Sequence, residues 1–343
     1  MRLTYNEALQ WYQKDLLILG QAAQDYRLSL HPEPIVTYVV DRNINYTNVC
    51  ISGCRFCAFF QPLESPSAYV LSQEALGRKI EETIDLGGTQ ILLQGGLHPR
   101  LSLEYYEGLI SWIKGHYPIH VHGFSPPEIL HMSKISGLSI AEVLGRLKES
   151  GLGSIPGGGA EILSERVRKL ISPKKGSAAD WLNVMETAHG LGLKTTATMM
   201  FGHIETVEER IDHLFAIRDL QDRTGGFTAF IPWTFQPGHT ELPLTEAKGV
   251  EYLRMLALSR LVLDNVPNIQ ASWVTQGPKV AQVALYFGAN DLGSTMIEEN
   301  VVAATGVAHR LSLPEMRRLI ETAGFEPCQR DTFYNKVEQK CRN

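Results

Sequence analysis

The sequence predicts an α/β protein whose centre is a (β/α)8 TIM-type barrel. Short β-branched or apolar runs alternate with longer helical patterns along most of the chain, which is typical of a parallel sheet covered by helices. Eight such runs fit into the 343 residues, and a barrel of this type needs roughly 250 residues. Because the fourth and eighth runs are short, a partly open barrel of six units is the alternative.

The individual elements follow from the spacing of apolar residues, which has a period near two in strands and near 3.6 in helices. The predicted strands are residues 35–40, 89–94, 119–124, 153–155, 194–201, 227–233, 268–273 and 291–295. The predicted helices between them are residues 72–86, 103–116, 140–150, 180–191, 207–223, 246–265 and 279–287.

Further helical patterns lie outside these eight units, one before the first strand and one at residues 313–323. We therefore expect three parts. They are an N-terminal helical extension at 1–34, the barrel at 35–307, and a C-terminal helical extension at 308–343 that packs on the barrel.

The charge and the hydropathy of the chain exclude several classes of function. The net charge is −5 and no stripe of Lys or Arg occurs, so we expect no nucleic-acid partner. The pair Lys174-Lys175 is interpreted as a solvated loop. Apolar runs stop well short of the roughly 18 residues of a membrane span, and the N-terminus leads into an amphipathic helix rather than a signal peptide. We therefore expect a cytoplasmic protein with reduced thiols.

Three cysteines, Cys50, Cys54 and Cys57, follow the first predicted strand at spacings of three and two intervening residues. A cluster of four irons normally takes four thiolates, so three leave one iron without a protein ligand. A structural zinc ion would need four Cys or His ligands, and no histidine follows the trio before His98. Cys341 has no neighbour at ligand spacing. The trio therefore indicates one iron–sulfur cluster with an open iron.

The spacing Cys-x3-Cys-x2-Cys, with the aromatic Phe56 just before the last cysteine, resembles the signature of the radical S-adenosylmethionine superfamily. The resemblance implies a 4Fe-4S cluster whose open iron is chelated by S-adenosyl-L-methionine. It also implies an electron donor, such as flavodoxin or ferredoxin, whose electron releases a 5′-deoxyadenosyl radical. Barrel chemistry gathers at the C-terminal ends of the strands, which is where the trio lies.

Residues at the other strand ends are candidates for binding the cofactor. Gly95 and Gly96 follow the second strand, and a glycine pair lets backbone approach a ligand closely. By resemblance this pair contacts the methionyl amino group, and Glu161, after the fourth strand, hydrogen-bonds the ribose or the amino group. Ser125, which closes the third strand, and Phe56 complete the predicted cofactor-binding set.

The predicted catalytic residues are four titratable side chains at the same edge, His98, Glu128, His203 and Glu298, each a candidate base. His98 lies beside the presumed cofactor loop. Two prolines hold Glu128 in place. His120 and His122 alternate along the third strand and are either substrate-binding or hydrogen-bonded core residues.

Longer stretches resemble one group, the menaquinone-pathway and deazaflavin radical enzymes. They include Asn43 to Asn48 and Gln94 to Pro99, and within the group the chain is most similar to the dehypoxanthine futalosine cyclases. The resemblance implies that the radical takes the ribose C4′ hydrogen of dehypoxanthine futalosine, and that the sugar radical adds to the aromatic ring. The alternatives are an aminofutalosine synthase or deazaflavin synthase and, in another class, a non-catalytic electron-transfer protein.

Overall fold

Parallel strands form the centre of the molecule. The computed structural model describes residues 2–307 and 309–337; Ala308 and residues 338–343, which include Cys341, lie outside the described part, so the extension expected at 308–343 is covered only in part. The strands are β1 (Ile35–Val39), β2 (Asp41–Asn45), β3 (Gln90–Gln94), β4 (His120–Gly123), β5 (Ser154–Ile155), β6 (Lys194–Phe201), β7 (Phe227–Thr234), β8 (Asn268–Ile269), β9 (Asp291–Ser294) and β10 (Glu326–Gln329).

Helices alternate with these strands and cover the sheet. They are α1 (Tyr5–Tyr12), α2 (Leu16–Leu30), α3 (Gln73–Asp85), α4 (Leu103–His116), α5 (Pro126–Ser136), α6 (Ile140–Glu149), α7 (Glu165–Ile171), α8 (Ala178–Gly190), α9 (Val207–Thr224), α10 (Gly249–Val262), α11 (Trp273–Ala284) and α12 (Leu313–Thr322). Ser or Thr caps begin most of them, and full capping boxes start α1, α5, α6, α8, α9 and α12. Within the described residues no helix combines the length and the apolar character that a membrane crossing requires.

Seven strands, β2 to β8, pair in parallel and in sequence order, and this curled sheet makes most of a barrel. A second sheet, ordered β10-β1-β9, adjoins it. The N–H of Ala271 donates to Asp291 O at 2.9 Å, and the N–H of Thr295 donates to Val39 O at 3.0 Å, so β9 lies between the end of β8 and β1. The predicted α/β barrel class is confirmed, and β9 connects the end of the seven-stranded sheet to β1.

The first strand extends further than predicted. After a break at Val40, the chain continues as β2, all five residues of which are buried although four of them are polar. Hydrogen bonds compensate for this burial: Asp41 accepts from Gln90 Nε2 at 2.6 Å and from the hydroxyl of Ser294. The seventh strand is shorter than the predicted 268–273, because β8 ends at Ile269 and Trp273 already begins α11.

Besides β2 and the division of the N-terminal helix into α1 and α2, two helices and one strand were not predicted. The helices are α5 and α7; α5 replaces the expected strand end at Ser125–Glu128, where two prolines occupy its first turn. The strand is β10, which follows α12 and pairs in parallel with β1 along Ile35 to Tyr38. At the other terminus α1 and α2 pack on α9 and α10.

Candidate active site

The three cysteines lie in the long loop that follows β2, at the C-terminal edge of the sheet. Backbone hydrogen bonds hold this loop against its neighbours. The N–H of Ile51 donates to Leu97 O at 3.1 Å, in the loop after β3, and the N–H of Arg55 donates to Ile171 O at 2.9 Å, at the end of α7. The position predicted for the trio, at the mouth of the barrel, is the position observed.

Hydrogen-bond donors point at the sulfur atoms. The N–H groups of Leu97 and Ser52 donate to Cys50 Sγ at 3.3 and 3.4 Å, and the Ser52 hydroxyl lies 3.0 Å from Cys54 Sγ. Burial raises the pKa of Cys54 to about 11 and also raises that of Cys57. A coordinated metal deprotonates its thiol ligands outright, and N–H donors stabilise the resulting thiolates.

The geometry of the trio does not suit a single ion. Within residues 2–307 and 309–337, no three His, Cys, Asp or Glu side chains converge on a point that one metal ion could occupy. Zinc needs such convergence, with Zn–S distances of about 2.3 Å. In an iron–sulfur cluster each thiolate binds a different iron, so the ligands stand further apart. The donor set fits a cluster better than a zinc ion.

The glycine pair after β3 lies against the cysteine loop. A Cβ atom on Gly96 would lie 2.2 Å from Val49 O and 2.8 Å from Cys50 Cβ, and one on Gly95 would lie 2.5 Å from the ring of Tyr46. At Gly96 no other residue type fits without moving the backbone, and at Gly95 the Tyr46 ring would have to shift. The pair therefore sets the distance between two loops of the site.

Glu128 and Ser125 form a hydrogen-bonded support for that turn. The carboxylate of Glu128 accepts from Tyr46 Oη at 2.7 Å, from the N–H of Gly95 at 3.0 Å, and from the N–H and hydroxyl of Ser125 at 2.7 and 2.6 Å. Burial raises the pKa of Glu128, and these hydrogen bonds act against the rise. The geometry favours a structural role for Glu128 over the predicted role of base, and the Ser125 hydroxyl is already engaged.

Glu161 forms a buried ion pair that the sequence interpretation missed. Lys175 Nζ lies 2.6 Å from Glu161 Oε1 and 5.0 Å from the ring centroid of Phe56. Burial raises the pKa of Glu161, but Lys175 and Arg168 outweigh that effect and lower it overall. The interpretation of Lys174-Lys175 as a solvated loop is thus wrong for Lys175, which joins two of the predicted cofactor-binding residues.

The remaining candidate bases have partners within the protein. His98 Nδ1 accepts from the N–H of Arg100 at 3.1 Å, which leaves the ring proton on Nε2. The side chain of His203 is fully enclosed, with Nε2 bonded to Met200 O at 3.1 Å and Nδ1 2.9 Å from Glu205. Glu298 pairs with Lys79 at 2.5 Å and faces a separate pocket. A role for these residues as base stays a prediction that the geometry does not favour.

A cavity of about 280 Å³ fills the barrel beside the glycine pair. His122 lines it, whereas His98, Glu128, His203 and Glu298 do not. Other residues on its wall offer carboxamides, hydroxyls and indole rings: Asn43, Gln94, Thr196, Thr198, Trp233, Gln270, Ser272, Trp273 and Thr275. Neutral polar groups, aromatic rings and aliphatic side chains therefore line most of the cavity, and Asp41, Glu299 and Arg330 are charged residues on its wall.

The two histidines of β4 share one partner. His120 Nε2 lies 2.7 Å and His122 Nδ1 lies 2.6 Å from Ser154 Oγ. Burial lowers the pKa of His120 to about 4 and that of His122 to about 3, so both rings are neutral at neutral pH. His120 packs on Phe333, and only His122 reaches the cavity.

Comparison with known families and proteins agrees with this site. The Radical SAM superfamily model matches residues 44–217, and the model described as the CofH/MqnC C-terminal region matches residues 224–342. Two similar proteins are the cyclic dehypoxanthine futalosine synthases of Halalkalibacterium halodurans, 47% identical over 98% of this chain and 92% of that protein, and of Streptomyces coelicolor, 48% identical over 98% and 86%.

An archaeal relative carries a different name. The 5-amino-6-(D-ribitylamino)uracil–L-tyrosine 4-hydroxyphenyl transferase 1 of Methanosarcina acetivorans is 42% identical over 98% of this chain and 92% of its own length. Among solved structures, the fold is similar to the FeFe-hydrogenase maturase HydG from Carboxydothermus hydrogenoformans, with a TM-score of 0.77, 19% identity, and coverage of 97% of this chain and 77% of that one. The chain belongs to the radical S-adenosylmethionine superfamily, whose enzymes use S-adenosylmethionine together with an iron–sulfur cluster.

Proposed function

We propose that this enzyme cyclises dehypoxanthine futalosine, by joining the ribose C4′ to the aromatic ring of the same molecule, as a step of menaquinone biosynthesis. The observation that carries the proposal is the juxtaposition of three thiols, the glycine pair and a cavity at one edge of the sheet. The two relatives named cyclic dehypoxanthine futalosine synthase, at 47% and 48% identity, support the choice of substrate.

The cysteine loop suits a 4Fe-4S cluster with one iron left open for S-adenosylmethionine. Cys50, Cys54 and Cys57 would hold it, and the N–H groups on Cys50 Sγ would stabilise the thiolate. Bound there, the two cofactors supply the 5′-deoxyadenosyl radical once a donor such as flavodoxin or ferredoxin provides an electron. Backbone at Gly95 and Gly96 and the carboxylate of Glu161 would orient the methionyl and ribose groups.

The cavity suits a substrate that combines a sugar with an aromatic ring. Asn43 is 6% exposed and its Oδ1 has no hydrogen-bond partner among the described residues, so it is free to accept from a ligand hydroxyl. Gln94 and Gln270 offer further carboxamides, and Trp233 and Trp273 offer flat apolar surface. Enclosure of this kind excludes water from reactive intermediates.

Restoring aromaticity requires the loss of one electron and one proton from the ring, and the electron would return to the cluster that was oxidised in forming the radical. His122 is a better placed acceptor than the four predicted bases, because its neutral ring lines the cavity. A ring that has lost an electron is strongly acidic, so a weakly basic imidazole is sufficient. Glu299 also lines the cavity, but it accepts three backbone N–H groups at 2.8 to 2.9 Å.

The test is turnover of anaerobically reconstituted protein with S-adenosylmethionine, dithionite and dehypoxanthine futalosine. We expect 5′-deoxyadenosine and a product two hydrogen atoms lighter than the substrate. Tyrosine with 5-amino-6-ribitylaminouracil serves as the competing substrate pair, because the archaeal relative is 42% identical. Turnover of that pair alone would reassign the substrate. Reduction without 5′-deoxyadenosine from any substrate would support the electron-transfer alternative.

A further inference from the structure

Lys175 is a half-buried cation beside the loop that carries the three thiols. Its side chain is 19% exposed, and its Nζ lies 2.6 Å from Glu161 Oε1. The same Nζ lies 5.0 Å from the centroid of the Phe56 ring, within the range of a cation–π contact. Phe56 stands between Cys54 and Cys57 in the sequence. The ammonium group therefore lies over the segment that joins two of the thiols.

A buried arginine fixes this arrangement. Arg168 is 2% exposed, and its Nη1 donates to the carbonyl oxygens of Gly159 and Ala160 at 3.0 and 2.8 Å. Its Nε donates to Gly176 O at 2.9 Å. These bonds tie together the two segments that carry the ion pair, so the position of the ammonium group is set by the fold rather than by a flexible side chain alone.

Stability alone does not account for the ion pair. The Glu161 side chain is 3% exposed, and its backbone has φ of +42°, in the left-handed region that favours glycine. Burying each ion costs several kcal/mol, and a non-glycine residue in this region costs about 1–3 kcal/mol. Apolar replacements of buried ion pairs are often neutral or stabilising. A strained, charged arrangement next to a cofactor site is typical of a functional role.

The charge of Lys175 lies near the thiols. Its Nζ is 5.0 Å from the centroid of the Phe56 ring, and Phe56 directly precedes Cys57 in the sequence. The carboxylate of Glu161, 2.6 Å from the same Nζ, places the opposite charge beside it. A cluster on these thiols gains one negative charge when it is reduced, and a cation close by, poorly screened by solvent, stabilises the reduced form.

We propose that the positive charge of Lys175 raises the reduction potential of the cluster held by the three thiols, and that the negative charge of Glu161 partly offsets this increase. The step is a one-electron reduction of the 4Fe-4S cluster from the 2+ to the 1+ state. An external donor of the flavodoxin or ferredoxin class gives the electron, and no bond or proton changes place. The inference rests on the proposed cluster and is independent of the proposed substrate.

The test is an EPR-monitored redox titration of the anaerobically reconstituted protein with dithionite, without S-adenosylmethionine or substrate. Lys175→Met removes the charge at similar length, and we expect a more negative midpoint potential. Glu161→Gln leaves the ammonium group unopposed, and we expect a less negative one. Lys174→Met is the matched control, because Lys174 is the adjacent lysine and is exposed. We expect it to keep the wild-type potential, and Lys175→Arg to remain close to it.

Shifts of the midpoint potential in opposite directions for Lys175→Met and Glu161→Gln distinguish a charge effect from a structural one. Loss of the ion pair that supports the loop would disturb the cluster similarly in both variants. Equal potentials for Lys175→Met and Lys174→Met, or shifts of the same sign for Lys175→Met and Glu161→Gln, would overturn the proposal. If Lys175→Met fails to hold iron, the test depends on Glu161→Gln alone. A midpoint potential of Glu161→Gln that is unchanged or more negative than that of the wild type would then overturn the proposal. No substrate is present, so a failure to cyclise dehypoxanthine futalosine leaves this result unaffected.

Discussion

The three thiols of this site differ in how deeply they are buried. Cys54 is 6% exposed and contacts the Ser52 hydroxyl, whereas Cys50 and Cys57 are half-buried. In the proposed cluster each thiol would be one third of the protein's ligand set. A cluster that lacks a fourth protein ligand would have none to spare.

We expect Cys54→Ala to abolish cluster assembly while the barrel stays folded, because the apolar core cluster of the barrel does not include the three cysteines. Iron and sulfide per chain, together with far-UV circular dichroism, measure the two effects. Ser52→Ala is the control, since it removes a contact to the same sulfur and leaves three thiols. Wild-type iron content in Cys54→Ala would contradict the assignment of the ligands.

His122 gives a pH dependence of stability. Burial lowers its pKa from 6.5 to about 3, so the unfolded chain binds a proton near pH 6 that the folded protein does not. This contribution to stability is complete above pH 6.5 and is lost as the pH falls, by about 1.4 kcal/mol per pH unit. We expect urea unfolding of the wild type to weaken more steeply between pH 6 and 4.5 than that of His122→Asn. If the free energy of unfolding falls equally steeply with decreasing pH in the wild type and in His122→Asn, the result would argue against the burial of a neutral His122 ring.

The sequence predicts residues best where chemistry depends on local spacing. Cys50, Cys54 and Cys57 are recognisable from their separations alone. Lys175 is not, because the segment Pro173 to Gly176 has the composition of a surface turn and its partner Glu161 comes from another loop. A single sequence does not reveal that pairing.

The loops that follow β2 and β3 are in close contact at Gly96. Gly96 lies so close to Val49 and Cys50 that a methyl group has no space. The separation of the two loops is therefore fixed by backbone atoms, which are less adaptable than side chains.

We expect Gly96→Ala to reduce cluster content strongly, because its Cβ would lie 2.2 Å from Val49 O and push the cysteine loop away. Gly108→Ala is the matched control. Gly108 lies on the exposed side of α4 with nothing within 4 Å, so this change should stabilise the protein by about 0.5–1 kcal/mol. Iron content and the midpoint of thermal unfolding measure both. Full iron content in Gly96→Ala would show that the loops can separate.

Helices and strands were predictable where their apolar period was clear, as in β6, and less so where polar residues are buried. β2 contains Asp41, Arg42, Asn43 and Asn45, a composition that periodicity assigns to a loop. For α5 a signal was present, because Ser125 to Glu128 matches a capping box with proline in the first turn. The same residues also resembled the polar end of a strand.

At the scale of the whole molecule, the segment after α12 packs against the barrel and lines part of its cavity. Arg330 makes a bidentate ion pair with Asp291, at 2.5 and 3.0 Å, and both side chains are buried. Arg330, Thr332 and Tyr334 line the same cavity as His122. The segment after α12 therefore contributes part of the wall of the cavity.

We expect Arg330→Met to cost about 3–5 kcal/mol of stability, because it leaves the buried carboxylate of Asp291 without its cation. The double variant Arg330→Met/Asp291→Asn should recover part of the loss, since the amide carries no charge. Urea unfolding under anaerobic conditions measures both. A double variant less stable than Arg330→Met would show that the carboxylate acts through Thr37 and Gly293 instead.

The barrel class was predictable because strand–helix alternation is a local pattern repeated along the chain. The pairing of β10 with β1 was not, because it joins segments far apart in sequence. The extra strand was hidden for the same reason: Glu326–Gln329 is too short and too polar to stand out without its partner.

The parallel pairing of β1 with β10 also constrains the order of assembly. During synthesis β1 leaves the ribosome long before the strand that covers one of its edges, and that edge is left with open hydrogen-bonding groups in the interval. Pairings of such long sequence separation form late and slowly. The nascent protein should therefore be most prone to aggregation, and most dependent on chaperones, after β1 has been synthesised and before β10 pairs with it.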